Sequence, residues 1–316
     1  GDVDNGGTPA PRCLTVDTPP SGRPAPPADD RPRVLVVDDE AALRSLLRRA
    51  LEREGFEVAE AADAAGAIGR FRAFAPSVSV LDLGLPDRDG ISLLADLRTL
   101  EPAAVVIVVT GRGDEESALR AGAASFLHKP FLLPDLVQEV RQLSAWRSPA
   151  AGPAAPAEGA VLRFSLGSHE ARERSAIEAL TLPLRDRLNE AALLGVRIGI
   201  GEMILNAVEH GNLGISTAEK EQALADGRFP GLVASRLAMP QNAGKRVWSE
   251  SRLADGEFRV TVRDEGAGFD WRALAAADPA ATLAGRGVLL ARFHFDEVRW
   301  NERGNEVTLV KRIPRL

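Results

Sequence analysis

Tyrosine is missing from this 316-residue chain, and cysteine occurs once, at Cys13. A single thiol excludes an intrachain disulfide framework and a cysteine-ligated zinc cluster. It suits a reducing compartment, so a cytoplasmic location is expected. Long apolar runs are lacking too. The longest, around residues 103–109, is far too short to cross a bilayer. The first residues show no apolar stretch of the signal-peptide type, and no membrane partner is expected. Excess basic charge is also absent. Lys and Arg number 39 against 45 Asp and Glu, for a net charge of −6. No overall basic surface invites nucleic acid, so none is expected as a partner.

What remains is ordinary globular composition, 45% hydrophobic and 27% charged. At about 150 residues per domain the length suits two domains. Residues 1–31 are rich in Pro, Gly and Asp without apolar periodicity, and read as a disordered tail. A second Pro/Ala/Gly stretch, "SPAAGPAAPAEGA" at 148–160, reads as a linker. The expected division is a tail, a domain at 32–147, the linker, and a domain at 161–316.

The first domain alternates short apolar runs with helical patterns in five strand–helix units, from "RVLVVDD" to "LPDLVQEVRQLSAW". Continuous apolar strands are buried on both faces, so a doubly wound parallel sheet is expected. Functional groups in such sheets collect beyond the carboxyl ends of the strands. Asp38 and Asp39 end the first strand, Asp82 the third, Thr110 the fourth, and Lys129 the fifth. Three converging carboxylates favour a hard divalent cation such as Mg²⁺. Lys129 suits a phosphoryl group and Thr110 offers a hydroxyl, which together make a site for placing phosphate on an aspartate.

"VLVVDDE", "VLDLGLPDRDG", "VVTG" and "AASFLHKP" closely resemble the receiver domains of two-component response regulators. The resemblance implies that Asp82 is the phosphoacceptor, fed by a sensor histidine kinase. Asp38 and Asp39 then form the acidic pocket, Asp39 ligates Mg²⁺ directly, and the Gly84 carbonyl is a further ligand. Lys129 pairs with the phosphoryl group and Thr110 hydrogen-bonds it. Phe126 stands where the family keeps a switching aromatic, with a plain core aromatic as the alternative.

In the second domain a strand, "VLRFSLG", precedes a helix expected over 171–189. Then comes "LGVRIGIGEMILNAVEHGN". Val196, Ile200, Met203, Ile204 and Ala207 give an apolar face of period 3.6. Glu202, Asn206 and His210 line up four residues apart beside it. Downstream, "FRVTVRDEGAGFD" runs a strand into Asp264, Gly266 and Gly268, and "AGRGVLL" places Gly285, Arg286 and Gly287 before an apolar helix. Glycine pairs let backbone N–H groups approach phosphate, and a helix start aims its positive end at one. Neither pair completes a Rossmann fingerprint, and no P-loop is present. "DEVRW" and "NEVTLVKRI" read as two antiparallel strands.

Taken in order, ExxxN, DxGxG and GxG resemble the Bergerat-type (GHKL) ATP-binding fold, an α+β two-layer architecture. "ExxxNAxxHGN" with "RDEGAGFD" and "GRGVLL" is closest to the anti-sigma-factor serine kinase branch. That resemblance implies Mg²⁺ and ATP as cofactors. Asn206 holds the metal, Glu202 is the candidate base, and Asp264 accepts the adenine amino group beside Gly266 and Gly268. Gly285, Arg286 and Gly287 border the lid, and Thr308 lies near adenine. His210 is open between a ligand contact and a helix-end role. Residues 212–247 exceed the minimal fold and read as two short helices.

The implied function is a response regulator whose output domain phosphorylates a STAS-type anti-sigma antagonist in partner switching. The alternative is an ATP-dependent module that sequesters a partner without transferring phosphate. A hybrid histidine kinase would need a phosphoacceptor His on a dimerising helix pair, and His169 stands in a turn-like context instead. Homodimers, common in both families, are a further expectation.

Overall fold

A computed structural model describes residues 31–111, 113–147, 155–169, 174–271 and 286–313. The tail up to residue 30 and the first part of the linker, 148–154, lie outside them, as does Gly285.

Five parallel strands form the first sheet: β1 Arg33–Val37, β2 Glu57–Ala61, β3 Val78–Asp82, β4 Val106–Thr110 and β5 Ser125–His128. Their order is β2-β1-β3-β4-β5. Every residue of β3 and β4 is buried, as their continuous apolar runs require. Helices α1 Ala41–Arg53, α2 Ala64–Phe74, α3 Gly90–Leu100, α4 Glu115–Arg120 and α5 Leu133–Arg147 connect or follow them. Aspartates start two of these helices. Asp63 accepts the Gly66 N–H at the head of α2, and Asp89 accepts from Ile91 and Ser92 at the head of α3, satisfying orphan donors.

The second sheet is antiparallel, in the order β6-β7-β8-β10-β9. Its strands are β6 Val161–Gly167, β7 Arg246–Ala254, β8 Glu257–Arg263, β9 Glu297–Trp300 and β10 Glu306–Arg312. β7 alternates buried and exposed residues along its length, the signature of a sheet covered on one face. The cover includes α6 Arg174–Leu180, α7 Glu190–Asn206 and α10 Arg286–His294. Two short helices, α8 Thr217–Ala225 and α9 Phe229–Leu237, fill the 212–247 segment. Ser216 and Glu219 form a reciprocal capping box at the start of α8.

Asn189 caps α7 through the Ala192 N–H at 2.8 Å. Val196, Ile200, Met203, Ile204 and Ala207 are all buried, so the period-3.6 face is the core face. The final turn, Ala207–Asn212, widens to π-helical geometry. The combined helix Glu190–Asn212 is long and apolar enough to cross a membrane by length and composition, but 61% of that apolar window is buried inside the molecule.

The helix expected over 171–189 is not continuous. Among the described residues α6 ends at Leu180, and a short 3₁₀ turn, Leu182–Leu184, follows. Pro183 is the second residue of that turn, and it has no N–H for an α-helical bond and forces a break. Thr181 closes α6 by donating its hydroxyl to the Ile177 carbonyl at 2.9 Å.

Candidate functional site

Two polar centres lie at the ends of the two sheets. In the first, the parallel strands bring Asp38, Asp39 and Asp82 together, with one carboxylate oxygen from each within 4.8 Å of the others. Asp38 and Asp82 are buried and Asp39 is exposed. Lys129 donates to Asp38 at 3.0 Å and to Asp82 at 2.8 Å. Burial pulls the Lys129 pKa down, but the two carboxylates outweigh it and hold the ammonium charged above its usual value. The Gly84 N–H donates to Asp82 at 3.2 Å. Thr110 is buried at the end of β4 and donates to Asp114 at 3.2 Å. Phe126 is fully packed on β5, edge-on to His128. The trio of carboxylates fits a hard divalent cation, since all three offer oxygen and one stays open to solvent.

The second centre is built on close backbone approach. A Cβ on Gly287 would come within 2.6 Å of a Glu202 carboxylate oxygen and 3.4 Å of the Asn206 amide nitrogen. The start of α10 therefore rests directly on the ExxxN stripe of α7. Gly211 does the same for Asp264, whose carboxylate carbon would lie 2.3 Å from an added Cβ. Asp264 accepts the Gly266 N–H at 2.7 Å. Burial drives its pKa up to about 6, with the Gly266 bond and Arg303 pulling the other way. Donor set and glycine cradle together fit an adenine nucleotide with its metal: an amide oxygen, two carboxylates, and helix N–H groups kept free of side chains.

Gly268 completes the cradle at φ +82°, where a Cβ would stand 1.9 Å from the Arg303 carbonyl. Gly268→Ala is expected to cost about 2–4 kcal/mol, from left-handed strain and overpacking together. Urea unfolding of the full chain measures this, and a loss under about 1 kcal/mol would mean that the turn relaxes.

One residue from the motif reading, Thr308, lies apart from this cluster. The pleat pairs Thr308 with Thr261, whereas Leu309 pairs with Val260 and Val307 with Val262. Those four valines and leucines are buried against the helices, so Thr308 points to the opposite face, away from Asp264. Asn305 reaches the site instead: its amide donates to the Asp264 carbonyl at 3.0 Å. His210 turns Nδ1 to the Ile215 carbonyl at 2.6 Å, and burial lowers its pKa. This contact is one that a helix-end role would use.

Several participants escaped the sequence reading. Asn212 accepts the Glu265 N–H at 2.8 Å, and Lys245 donates to the Asn212 carbonyl at 2.7 Å, tying the end of α7 to the Asp264 loop. The terminal Asn of "HGN" was the signal for it. Nothing local marks Glu139 of α5, which reaches Arg286 at 2.7 Å.

Comparison with known proteins follows the same division. The family model of the response regulator receiver domain matches residues 34–141, and that of a histidine kinase-like ATPase domain matches residues 168–311. The transcriptional regulatory protein PrrA of Mycobacterium tuberculosis is 41% identical over 115 residues, which is 35% of this chain and 49% of PrrA. KdpE of Escherichia coli, a KDP operon transcriptional regulatory protein, is 42% identical over 111 residues, 34% of this chain and 49% of KdpE. This chain thus spans about half the length of the curated relatives it matches. Among solved structures, the receiver domain of NtrX from Brucella abortus is 34% identical, with 36% of this chain and 99% of that one covered at a TM-score of 0.34. A CheY-like receiver domain from Methanospirillum hungatei is 31% identical, covering 37% and 95% at a TM-score of 0.36. The chain thus joins a response regulator receiver domain, residues 34–141, to a histidine kinase-like ATPase domain, residues 168–311.

Proposed function

We propose that this response regulator is phosphorylated on Asp82 and controls an output domain that phosphorylates a serine or threonine of a STAS-type anti-sigma antagonist. The observation that supports the kinase reading best is the approach of Gly287 to both Glu202 and Asn206. It sets a carboxylate, an amide and a helix start around one point.

Mg-ATP, when bound, supplies the phosphoryl group. Asp264 accepts the adenine amino hydrogen, and Asn206 offers its amide oxygen to the metal. Glu202 is placed to take the proton from the partner's hydroxyl that would accept the phosphoryl group, with the nucleoside diphosphate as leaving group. In the receiver, Asp39, Asp82 and the Gly84 carbonyl would hold Mg²⁺. Asp82 accepts phosphate from a sensor histidine kinase, and Lys129 and Thr110 steady the added oxygens.

The second reading is an ATP-dependent sequestering module. It is favoured by one contact: Glu202 is ion-paired to Arg286 at 3.0 Å, and a carboxylate engaged by a guanidinium is not free to approach a substrate hydroxyl. The deciding experiment incubates the full chain with γ-labelled Mg-ATP and STAS-domain proteins, with and without acetyl phosphate. Label on a partner hydroxyl is expected, with a yield that acetyl phosphate changes in wild type but not in Asp82→Asn. Nucleotide binding and partner capture without label would remove the kinase and leave the sequestering switch.

A further inference from the structure

Arg286 opens α10 at the mouth of the ATP-binding centre, yet its partners come from both domains. One of its terminal nitrogens donates to Glu139 of the receiver at 2.7 Å and to Glu202 at 3.0 Å, and the other reaches the Phe126 carbonyl of β5 at 3.4 Å. The side chains of Arg286, Glu139 and Glu202 are 19%, 10% and 16% exposed, so this triad is sheltered from solvent screening. Burial would lower the pKa of Arg286, but Glu139 and Glu202 overcome that and hold it more firmly charged than usual.

The neighbourhood repeats the pattern. Gly201 of α7 lies under α5, where an added Cβ would be 3.4 Å from both Gln142 and Trp146. His294, at the far end of α10, faces the Ala124 carbonyl of the receiver and is kept neutral by burial, its pKa lowered to about 4. Asp135, near the start of α5, feels both Arg286 and Lys220 of α8. The β5–α5 face of the receiver therefore sits over the edge of the nucleotide centre, its acids meeting the output domain's cations.

We infer that the Glu139–Arg286–Glu202 bridge is an autoinhibitory clamp, through which the resting receiver withholds Arg286 from a bound triphosphate and Glu202 from a substrate hydroxyl. This rests on the proposed ATP site. With both carboxylates engaged, the cation at the head of α10 is already neutralised, and a nucleotide must displace a charged hydrogen-bonded partner to recruit it. Glu202, held by Arg286 at 3.0 Å, must break that pair before it can reach a substrate hydroxyl.

Release has a physical route. Lys129, which grips Asp82, directly follows β5, the strand whose Phe126 carbonyl also accepts from Arg286. A phosphoryl group on Asp82 adds charge of about −1.5 to −2 beside Lys129. Re-pairing Lys129 shifts the end of β5 and the α5 that follows it, and withdraws Glu139.

The test compares wild type with Glu139→Gln in the full chain, reading affinity for a non-hydrolysable ATP analogue and transfer to a STAS partner, before and after acetyl phosphate. In wild type, acetyl phosphate is expected to raise analogue affinity roughly 5–150-fold, the span of ordinary allosteric couplings. Glu139→Gln should show the raised affinity from the outset and gain nothing further. Acetyl-phosphate labelling of Asp82 in the variant verifies an intact receiver. If labelling fails, Glu139→Asp, one methylene shorter with the charge retained, replaces it, with an intermediate gain expected. A variant that binds no more tightly than resting wild type overturns the clamp, as does one that keeps the full response to acetyl phosphate. The clamp is judged on affinity alone. Absence of transfer from every chain, with tighter binding by Glu139→Gln, would therefore remove the kinase reading and support the clamp.

Discussion

Replacing Glu202 by Gln is expected to slow phosphotransfer to the partner about 10²–10⁴-fold, the usual contribution of a positioned general base. Once acetyl phosphate has released the clamp, analogue affinity should differ from wild type by no more than about threefold, because the lost interaction acts in the transition state rather than on the bound nucleotide. Glutamine keeps the shape of the side chain and an oxygen to accept from Arg286, which donates to Glu202 at 3.0 Å, so the fold around α7 is preserved. What it loses is the capacity to take a proton. Single-turnover transfer, measured after acetyl-phosphate activation, separates this effect from release of the clamp. Transfer at the wild-type rate would strip Glu202 of its role as base.

Asp264→Asn should improve the fold while damaging the site. The carboxyl of Asp264 is raised from 3.8 to about 6 by burial. A carboxyl with a raised folded-state pKa contributes its full stability below the unfolded value, and that contribution is lost as pH climbs through the folded one. Above pH 6 the ionised group therefore costs about 3 kcal/mol at most, from roughly two units at 1.36 kcal/mol each. Asparagine has no such charge, and its side-chain oxygen can still accept the Gly266 N–H that Asp264 accepts at 2.7 Å. The melting temperature of the nucleotide-free variant should exceed wild type by about 5 °C or more at pH 8. The difference should shrink steadily toward pH 4.

Nucleotide binding should move the other way. Loss of a charged acceptor for the adenine amino group is worth about 1.5–3 kcal/mol, or roughly 10–150-fold in affinity. The wild type should show the same dependence, binding more weakly below pH 6 as Asp264 takes up its proton. A variant with equal stability at pH 8 and unchanged affinity would place adenine elsewhere.

Much of this molecule is written locally. Apolar runs such as those of β3 and β4 are buried along their whole length, and a parallel sheet forces their carboxyl ends onto one edge. Asp38, Asp82, Thr110 and Lys129 could thus be assembled from spacing alone. The stripe of Glu202 and Asn206 follows from helical period, and the glycines from the room that backbone needs.

Other features depended on pairing between distant segments. Whether Thr308 faces the nucleotide centre is set by its register with Thr261 on β8, since a strand turns successive side chains to opposite faces. The break after α6 reflects Pro183 and the turn that contains it, where periodicity alone suggests one long helix.

The sequence by itself determined two folds, the order of their motifs and most of the residues at each centre, because period, strand ends and glycine positions are local properties. Only the tertiary structure decided that Arg286 answers to both domains. Glu139 lies 147 residues before it and Glu202 84 residues before it. No periodicity links such positions, because a buried ion pair across two domains exists only once both are folded and docked.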